Sequence, residues 1–247
     1  MSLYKAFRKK VGDFLLGRKD TDSQIAYNLW ASTYDNQPEN LIMHLNQLVF
    51  ENIIDRMNIE NKKVIDYGCG TGKYWEKIFL KKPSEITGYD TASAMLDKLH
   101  QKYPNASAYC LEHNKMLKEG NNSCDIIISS LVVAHIKDLK ALFIEWNRIL
   151  KNGGTVVITD FHPDALQKGA TRCFSYNGAP IVINNYIYTL KKIRNMAKKL
   201  HWNEIDIFEK KVDDTVKYFY RTPAALEVFE ATYDTKLLYA LWFKKSL

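Results

Sequence analysis

The residues with the clearest chemical potential lie between Val64 and Gly72, in the segment VIDYGCGTG. Three of its glycines alternate with other residues, and a backbone without Cβ atoms can approach a ligand closely. Asp66 precedes these glycines, and a carboxylate attracts a cation and repels phosphate. The segment therefore predicts a turn that binds an adenosine with a positively charged amino-acid group, in preference to one with a diphosphate.

The spacing of the glycines and the following helix point to a particular corner of a fold. G-x-G-x-G is not the dinucleotide fingerprint G-x-G-x-x-G, because Lys73 stands at the next position instead of a small residue. A helix-compatible segment, residues 73–80, follows at once. A strand that leads into a glycine turn and a helix is typical of nucleotide binding in a doubly wound α/β sheet.

These features resemble the first motif of the class I S-adenosylmethionine-dependent methyltransferases, and three more segments continue the resemblance in order. Ile86–Asp90 is similar to the family's second strand, Cys124–Leu131 to its fourth, and Leu150–Asp160 to its turn and fifth strand. Asn152 stands where the family often has proline. The resemblance implies a Rossmann-like seven-stranded sheet of order 3-2-1-4-5-7-6, with strand 7 antiparallel.

The resemblance also implies a site for S-adenosyl-L-methionine, with S-adenosyl-L-homocysteine as product. Asp66 would reach the ammonium group, Gly68 and Gly70 would line the methionine part, and Asp90 would accept both ribose hydroxyls. The other cofactor-binding residues that it implies are Tyr27, Tyr34, Thr91, Met95, His113, Asn114, Ser129 and Ser130. Methyl transfer from a sulfonium is a displacement that needs no metal or covalent nucleophile.

The residue at the adenine edge is less well defined by the pattern. Counting back about twelve residues from Asp125, as the family suggests, leads to His113, between Glu112 and Asn114. The choice among these neighbours stays open, and an ordinary polar loop is the alternative interpretation.

Two histidines are candidates for a general base. His135 lies six residues after Ser129, and His162 follows the fifth strand, so both are expected at the carboxyl edge of the sheet. Histidine titrates near neutrality, which suits proton removal from a hydroxyl or an amine. The alternative is that either ring only orients a loop.

Elements that must position these residues follow from the apolar periodicity. Helices are predicted at residues 25–34, 41–57, 73–80, 92–100, 139–150, 190–200 and 223–230. Strands are predicted at residues 63–67, 86–89, 106–111, 125–129, 155–159, 204–210 and 236–244. After the fifth strand, two β-rich runs at residues 172–176 and 181–188 flank Asn177-Gly178, with Ala179-Pro180 able to lengthen the loop. We interpret this insertion, about residues 161–188, as a substrate lid.

The first 50 residues are predicted to form a helical cap, followed by the methyltransferase domain over residues 51–247. Tyr27–Asp35 is similar to a Y-D-x-x-A-x-x-Y-D stretch that covers the cofactor in many small-molecule methyltransferases, with Asn28 at the first aspartate. We hypothesise that residues 1–40 close over the cofactor and acceptor. An aromatic helix face buried in the core is the alternative.

The net charge of +7 is concentrated at the N-terminus. Residues 1–19 contain six Lys or Arg and one Asp, so the rest of the chain is close to neutral and no nucleic-acid partner is expected. The amphipathic segment 3–15 favours a helix packed on the body. Weak contact with an anionic membrane surface through residues 1–19 is the alternative.

Cysteine content and hydropathy indicate a cytoplasmic protein. The four cysteines, at positions 69, 110, 124 and 173, show no C-x-x-C or zinc spacing, and they are predicted to be small core residues. No apolar run is long enough for a membrane span, and Arg8, Lys9 and Lys10 interrupt any signal peptide.

Together these features predict an enzyme that methylates an oxygen, nitrogen or carbon of a small-molecule acceptor, with natural products and quinone-like compounds as candidate acceptors. The alternatives are a nucleic-acid or protein methyltransferase and a non-catalytic cofactor-binding subunit of the same fold. A nicotinamide oxidoreductase is disfavoured by Asp66 and by the absent third fingerprint glycine.

Overall fold

The computed structural model of the chain describes residues 21–111 and 116–247. Its helices are α1 (Ser23–Trp30), α2 (Leu41–Arg56), α3 (Trp75–Leu80), α4 (Ser93–Lys102), α5 (Leu139–Ile149), α6 (Pro163–Gln167), α7 (Leu190–Lys199) and α8 (Pro223–Thr232). Its strands are β1 (Lys63–Tyr67), β2 (Glu85–Asp90), β3 (Ser107–Cys110), β4 (Cys124–Ser130), β5 (Leu150–Phe161), β6 (Arg172–Tyr176), β7 (Ala179–Ile183), β8 (Trp202–Lys211) and β9 (Lys236–Lys245). The predicted elements of the α/β body are confirmed within a few residues at their ends.

Seven strands form one sheet in the order β3-β2-β1-β4-β5-β9-β8. The strands from β3 to β5 pair in parallel, whereas β9 runs antiparallel to both β5 and β8. Because β6 and β7 form a separate two-stranded sheet, β8 and β9 are the sixth and seventh strands of the main sheet. The predicted order 3-2-1-4-5-7-6 with an antiparallel last strand is therefore confirmed.

The continuous apolar run in β4 explains why this strand lies at the centre. Ile126 and Ile128 pack in the hydrophobic cluster on one face, and Ile127 packs in the cluster on the other. Helix α2 covers the first face through residues such as Phe50, and α5 covers the second through residues such as Trp146. A parallel strand covered on both faces has this composition because neither face meets water.

The hairpin after β5 has a two-residue turn, without the longer loop that Ala179-Pro180 could have formed. Asn177 and Gly178 have φ values of 50° and 76°, as a tight two-residue turn requires, and Tyr176 pairs directly with Ala179. Pro180 therefore lies within β7 and does not lengthen the loop. The predicted second strand at 181–188 is wrong at both ends, because the backbone after Ile183 turns away to bond other segments.

The described part of the N-terminal segment joins the hairpin to the body. The Trp30 and Phe174 rings stack with centroids 4.6 Å apart, and Thr21 forms a β-bridge with Ile183. The Asn28 side chain accepts a hydrogen bond of 2.9 Å from the Ala94 amide at the start of α4. Asparagine thus has a local function at the position where the family pattern has aspartate.

The predicted division of the chain into cap and domain remains a prediction. Its boundary after residue 50 falls inside α2, whose apolar face packs on the sheet. The amphipathic segment 3–15 and its suggested membrane contact lie outside the described residues.

Two of the four cysteines are exposed, although all four were predicted to be core residues. Cys69 and Cys124 are buried as predicted, whereas Cys110 and Cys173 are exposed. Cys110 ends the edge strand β3 and Cys173 lies in the hairpin, where fewer elements cover a side chain. Among the described residues, no helix has the length and apolarity that crossing a membrane would need.

Candidate active site

A cavity of about 1150 Å³ opens at the carboxyl ends of the central parallel strands. Ligands of open α/β sheets bind at this edge. The structure brings these predicted site residues into the cavity wall: Tyr27, Tyr34, Gly68, Gly70, Asp90, Thr91, Met95, Ser130 and His135. Helix α5 adds polar residues that the sequence interpretation had not selected, namely Asp138, Glu145 and Arg148.

The glycine turn after β1 shapes the floor of this cavity. Gly68 has φ +77°, and a Cβ atom there would lie 2.1 Å from Cγ2 of Val132, so the position admits only glycine without displacement. Gly70 has φ +52°, and a Cβ atom there would meet nothing within 4 Å. Its backbone therefore borders open space that a ligand can enter, which is the arrangement expected of a cradle.

The carboxylate of Asp90 fixes this turn to the end of β2. One of its oxygens accepts a 2.8 Å hydrogen bond from the Gly70 amide, and the other accepts one of 2.8 Å from the Ala92 amide. Burial raises the pKa of Asp90, and backbone hydrogen bonds partly oppose that shift. Each carboxylate oxygen keeps a further lone pair, so both can still accept from ligand hydroxyls.

Asp66 does not itself line the cavity, so its predicted contact with the ligand's ammonium group would run through the loop or a water and stays a prediction. Its Oδ2 atom accepts a 2.7 Å hydrogen bond from Nε1 of Trp75 in α3, and the residue is 7% exposed. Burial raises the pKa of Asp66 to about 7, and the nearby charge of Asp90 adds to the shift. The side chain thus fastens α3 against β1.

We expect Asp66 to make the stability of the protein depend on pH. Because its folded-state pKa lies above the ordinary 3.8, its stabilising protonated form is lost as the pH rises towards 7. Asp66→Asn keeps an acceptor for Trp75 and removes this titration. Relative to the unaltered protein, the variant should gain about 2–3 kcal/mol in unfolding free energy between pH 5 and pH 7.5, by urea denaturation. Identical pH dependence in both proteins would contradict this assignment.

The close approach of Val132 to Gly68 should make alanine more destabilising there than at Gly178, which serves as the control. Gly68→Ala and Gly178→Ala both place alanine at a φ near +77°, but only the first brings a Cβ atom against Val132. We expect Gly68→Ala to be less stable than Gly178→Ala by about 1–3 kcal/mol, the usual effect of overpacking. Because Val132 lines the cavity, only Gly68→Ala should also weaken S-adenosylhomocysteine binding by calorimetry. Equal effects of the two changes would show that Val132 moves aside freely.

A buried ion pair between Arg172 and Asp160 supports the part of the cavity lining formed by Tyr27 and Leu131, which we call the upper wall. Sequence analysis had not identified this pair. Nη2 of Arg172 lies 2.6 Å from Oδ1 of Asp160, while Nη1 donates to the Leu131 carbonyl at 2.6 Å and to the Tyr27 hydroxyl at 3.1 Å. Oδ2 of Asp160 accepts from the Ala134 amide at 2.8 Å. The pair therefore joins β5, the hairpin, the loop after β4 and the N-terminal segment.

His135 completes this group. Its Nδ1 atom lies 2.9 Å from the Asn184 carbonyl, so Nδ1 carries the proton and Nε2 is an acceptor. Nε2 faces Nη1 of Arg172 and, at 3.1 Å, the Tyr27 hydroxyl. Burial and the Arg172 charge hold the pKa of His135 well below its usual range. The ring is a neutral acceptor that orients Tyr27 and Arg172, and a role as general base stays a prediction.

Other predicted residues lie elsewhere. His162 does not line the cavity: its Nδ1 accepts from the Asp164 amide at 3.1 Å, its Nε2 lies 3.0 Å from Glu209, and the residue is 3% exposed. This corrects its proposed catalytic role, because the ring caps α6 and contacts β8. Ser129 is fully buried and does not line the cavity either. His113 and Asn114 lie outside the described residues.

A second cavity of about 270 Å³ adjoins the first. Three residues line both cavities, namely Tyr27, Tyr34 and Leu131. The second cavity lies between α1, the start of α2, the end of β5 and the first residues of the hairpin, and Trp30 and Arg172 belong to its lining.

Comparison with known proteins agrees with this geometry. Residues 65–158 match the family described as "Methyltransferase domain". The chain is 31% identical over 107 residues to malonyl-[acyl-carrier protein] O-methyltransferase of Serratia marcescens, covering 43% of this chain and 41% of that protein. It is 29% identical over 105 residues to the ubiquinone/menaquinone biosynthesis C-methyltransferase of Campylobacter jejuni, covering 40% and 44%. The chain spans about half or less of the length of these curated relatives.

Solved structures share the fold. An S-adenosylmethionine-dependent methyltransferase from Mesorhizobium loti superposes with a TM-score of 0.62 at 16% identity, covering 81% of this chain and 98% of that one. The parallel sheet, its glycine turn and the cavity at its carboxyl edge define the class I methyltransferase fold. Residues 65–158 therefore match a methyltransferase family, and the structure has the class I S-adenosylmethionine-dependent methyltransferase fold, whose cofactor is S-adenosylmethionine.

Proposed function

We propose that this protein transfers a methyl group from S-adenosylmethionine to an oxygen, nitrogen or carbon atom of a small molecule. The observation that carries the proposal is the pair of adjoining cavities. The larger contains the Gly70 and Asp90 cradle, and the smaller is mainly apolar. Because the two cavities share lining residues, an acceptor in the smaller cavity would lie next to a cofactor in the larger one.

The residues of the larger cavity fit the cofactor. The open space at Gly70 leaves room for it, and Asp90 offers two acceptor oxygens for vicinal hydroxyls. Thr91 and Met95 would flank the adenine. When bound, S-adenosylmethionine supplies an activated methyl group, so the protein contributes chiefly binding, orientation and exclusion of water.

Aromatic residues of the N-terminal segment would provide that exclusion. Tyr27 and Tyr34 line both cavities, with ring centroids 6.0 Å apart, and both pack against Trp30. If the acceptor loses a proton, the neutral Nε2 of His135 is the histidine nitrogen available among the described residues that line the cavity. Arg172 beside it would make the protonated ring unfavourable, so such a step would need rapid passage of the proton onward.

The relatives support a small acceptor and leave the methylated atom open. The printed name of the Serratia marcescens relative specifies O-methylation of a carrier-bound malonyl group, and that of the Campylobacter jejuni relative specifies C-methylation in quinone biosynthesis. A nucleic-acid or protein substrate remains the alternative, as does a non-catalytic subunit.

The test uses S-adenosylmethionine labelled in the methyl group and a cell extract divided into small-molecule, protein and nucleic-acid fractions. We expect label in the small-molecule fraction, with mass spectrometry to identify the product, and none with Asp90→Ala. Label only in the protein or nucleic-acid fraction would favour those alternatives. Absence of transfer by a protein that binds S-adenosylhomocysteine normally would indicate a non-catalytic subunit.

A further inference from the structure

Two residues that line the second cavity each contain a buried hydrogen-bond donor without an acceptor among the described residues. The two donors are Nε of Arg172 and Nε1 of Trp30. Arg172 is 4% exposed and Trp30 is 3% exposed, and both residues line the cavity. Because an unsatisfied buried donor destabilises the folded state, such an atom beside a cavity points to an acceptor supplied by a ligand.

The remaining lining of this cavity is mostly apolar. Its carbon-rich side chains are Leu41, Ile42, Met43, Leu131, Phe161 and Leu237. Asn40, one of the polar residues, already uses its side chain, which accepts from the Met43 amide and donates to Gln37. The volume of about 270 Å³ is close to the lower end of the range, about 300–1,000 Å³, found for small-molecule sites.

Charge at the cavity indicates which kind of oxygen would fit. The guanidinium of Arg172 is already neutralised by Asp160, at 2.6 Å, and its other nitrogens are occupied. An anionic ligand would be attracted by Arg172 and repelled by Asp160, so it gains little there. A neutral oxygen is not repelled by Asp160 in this way, and it can accept hydrogen bonds from the unpartnered Nε of Arg172 and Nε1 of Trp30.

We propose that the second cavity is the acceptor site and binds a neutral, mainly apolar molecule through a carbonyl, hydroxyl or ether oxygen. That oxygen accepts from both Nε of Arg172 and Nε1 of Trp30. The description as an acceptor site rests on the proposed function, while the binding preference does not. Tyr27, Tyr34 and Leu131 line both cavities, so such a molecule lies next to the cofactor cavity.

Three benzene derivatives of similar size test the preference in protein saturated with S-adenosylhomocysteine. Acetophenone carries a neutral carbonyl, α-methylstyrene has a methylene group in its place, and benzoate is anionic. We expect ligand-observed NMR titration to give acetophenone an affinity at least about tenfold above that of the other two, as one hydrogen bond to a charged donor provides.

Variants connect that preference to the two donors. Trp30→Phe removes Nε1 and keeps the ring that stacks on Phe174, and Arg172→Lys removes Nε while it keeps a cation for Asp160. Each should weaken acetophenone binding several-fold or more and leave α-methylstyrene binding unchanged. Trp242→Phe is the matched control, since its Nε1 is also buried and unpartnered but the residue lines neither cavity. It should bind acetophenone normally.

The outcomes separate this inference from the proposed function. Equal affinity for acetophenone and α-methylstyrene, no detectable acetophenone binding, stronger binding of benzoate, or normal acetophenone binding by Trp30→Phe would each overturn it. If these occur while label still enters a small molecule, only this inference fails. If the unaltered protein transfers no methyl group but shows the predicted preference, only the proposed function fails.

Discussion

Replacement of Arg172 by methionine should lower the free energy of unfolding by about 3–5 kcal/mol, the usual effect of removing one member of a buried ion pair. The change leaves the Asp160 carboxylate, which is 1% exposed, without its counter-charge. It also removes hydrogen bonds to the Leu131 carbonyl and to Tyr27. Urea denaturation measured at pH 7 provides the test.

Two further variants separate the buried charge from other effects. Arg194→Met makes the same substitution at an exposed pair with Glu204, where a loss below about 1 kcal/mol is expected. Asp160→Asn in the Arg172→Met background removes the unpaired charge and should restore part of the lost stability. Similar losses of unfolding free energy from Arg172→Met and Arg194→Met would mean that water solvates the Asp160 carboxylate more than its burial indicates.

Replacement of Asp90 by alanine should weaken cofactor binding strongly. The expected loss is about 1.5–3 kcal/mol of binding free energy for hydrogen bonds to a charged acceptor, or roughly 10- to 150-fold in affinity. The glycine turn would also loosen, because the Gly70 amide loses its acceptor. Calorimetric titration with S-adenosylhomocysteine measures the affinity, and circular dichroism verifies that the variant is folded.

Asp125→Ala is the matched control for this change. Asp125 lies in β4, where it accepts from the Lys63 amide at 3.0 Å and pairs with Lys151 at 2.9 Å, and it does not line the cavity. Its loss should leave affinity for S-adenosylhomocysteine unchanged. Unchanged affinity in a folded Asp90→Ala variant would instead exclude Asp90 from the cofactor site.

Local physics explains why much of the fold was predictable. The run of isoleucines in β4 favours a strand buried on both faces, and Asn177-Gly178 favours a tight turn because both residues tolerate positive φ. Glycine spacing after β1 predicted the cradle, since only glycine permits the close approach at Gly68. The order of the strands followed from the resemblance of four motifs, and the structure confirms it.

The two acidic residues at strand ends show where sequence reasoning reached its limit. Asp66 and Asp90 each precede a turn at the same edge of the sheet, and the pattern assigned both to the cofactor. The structure brings the Trp75 indole to Asp66 and leaves Asp90 facing the cavity. Tertiary packing determines which carboxylate faces the ligand. The residues of β1 do not indicate that the Trp75 indole, nine positions further on, will donate to Asp66.

The sequence by itself determined the strands of the sheet and the glycine cradle, because these depend on short-range periodicity and on backbone conformation, whereas the strand order and the cofactor came from the resemblance of four motifs to a known family. The tertiary structure alone decided the upper wall, where Tyr27 meets Arg172 across 145 positions and His135 across 108. It also decided that His162 serves α6 and β8 and does not reach the cavity. Such contacts depend on how the cap and hairpin fold back over the sheet, and no local pattern of residues specifies that path.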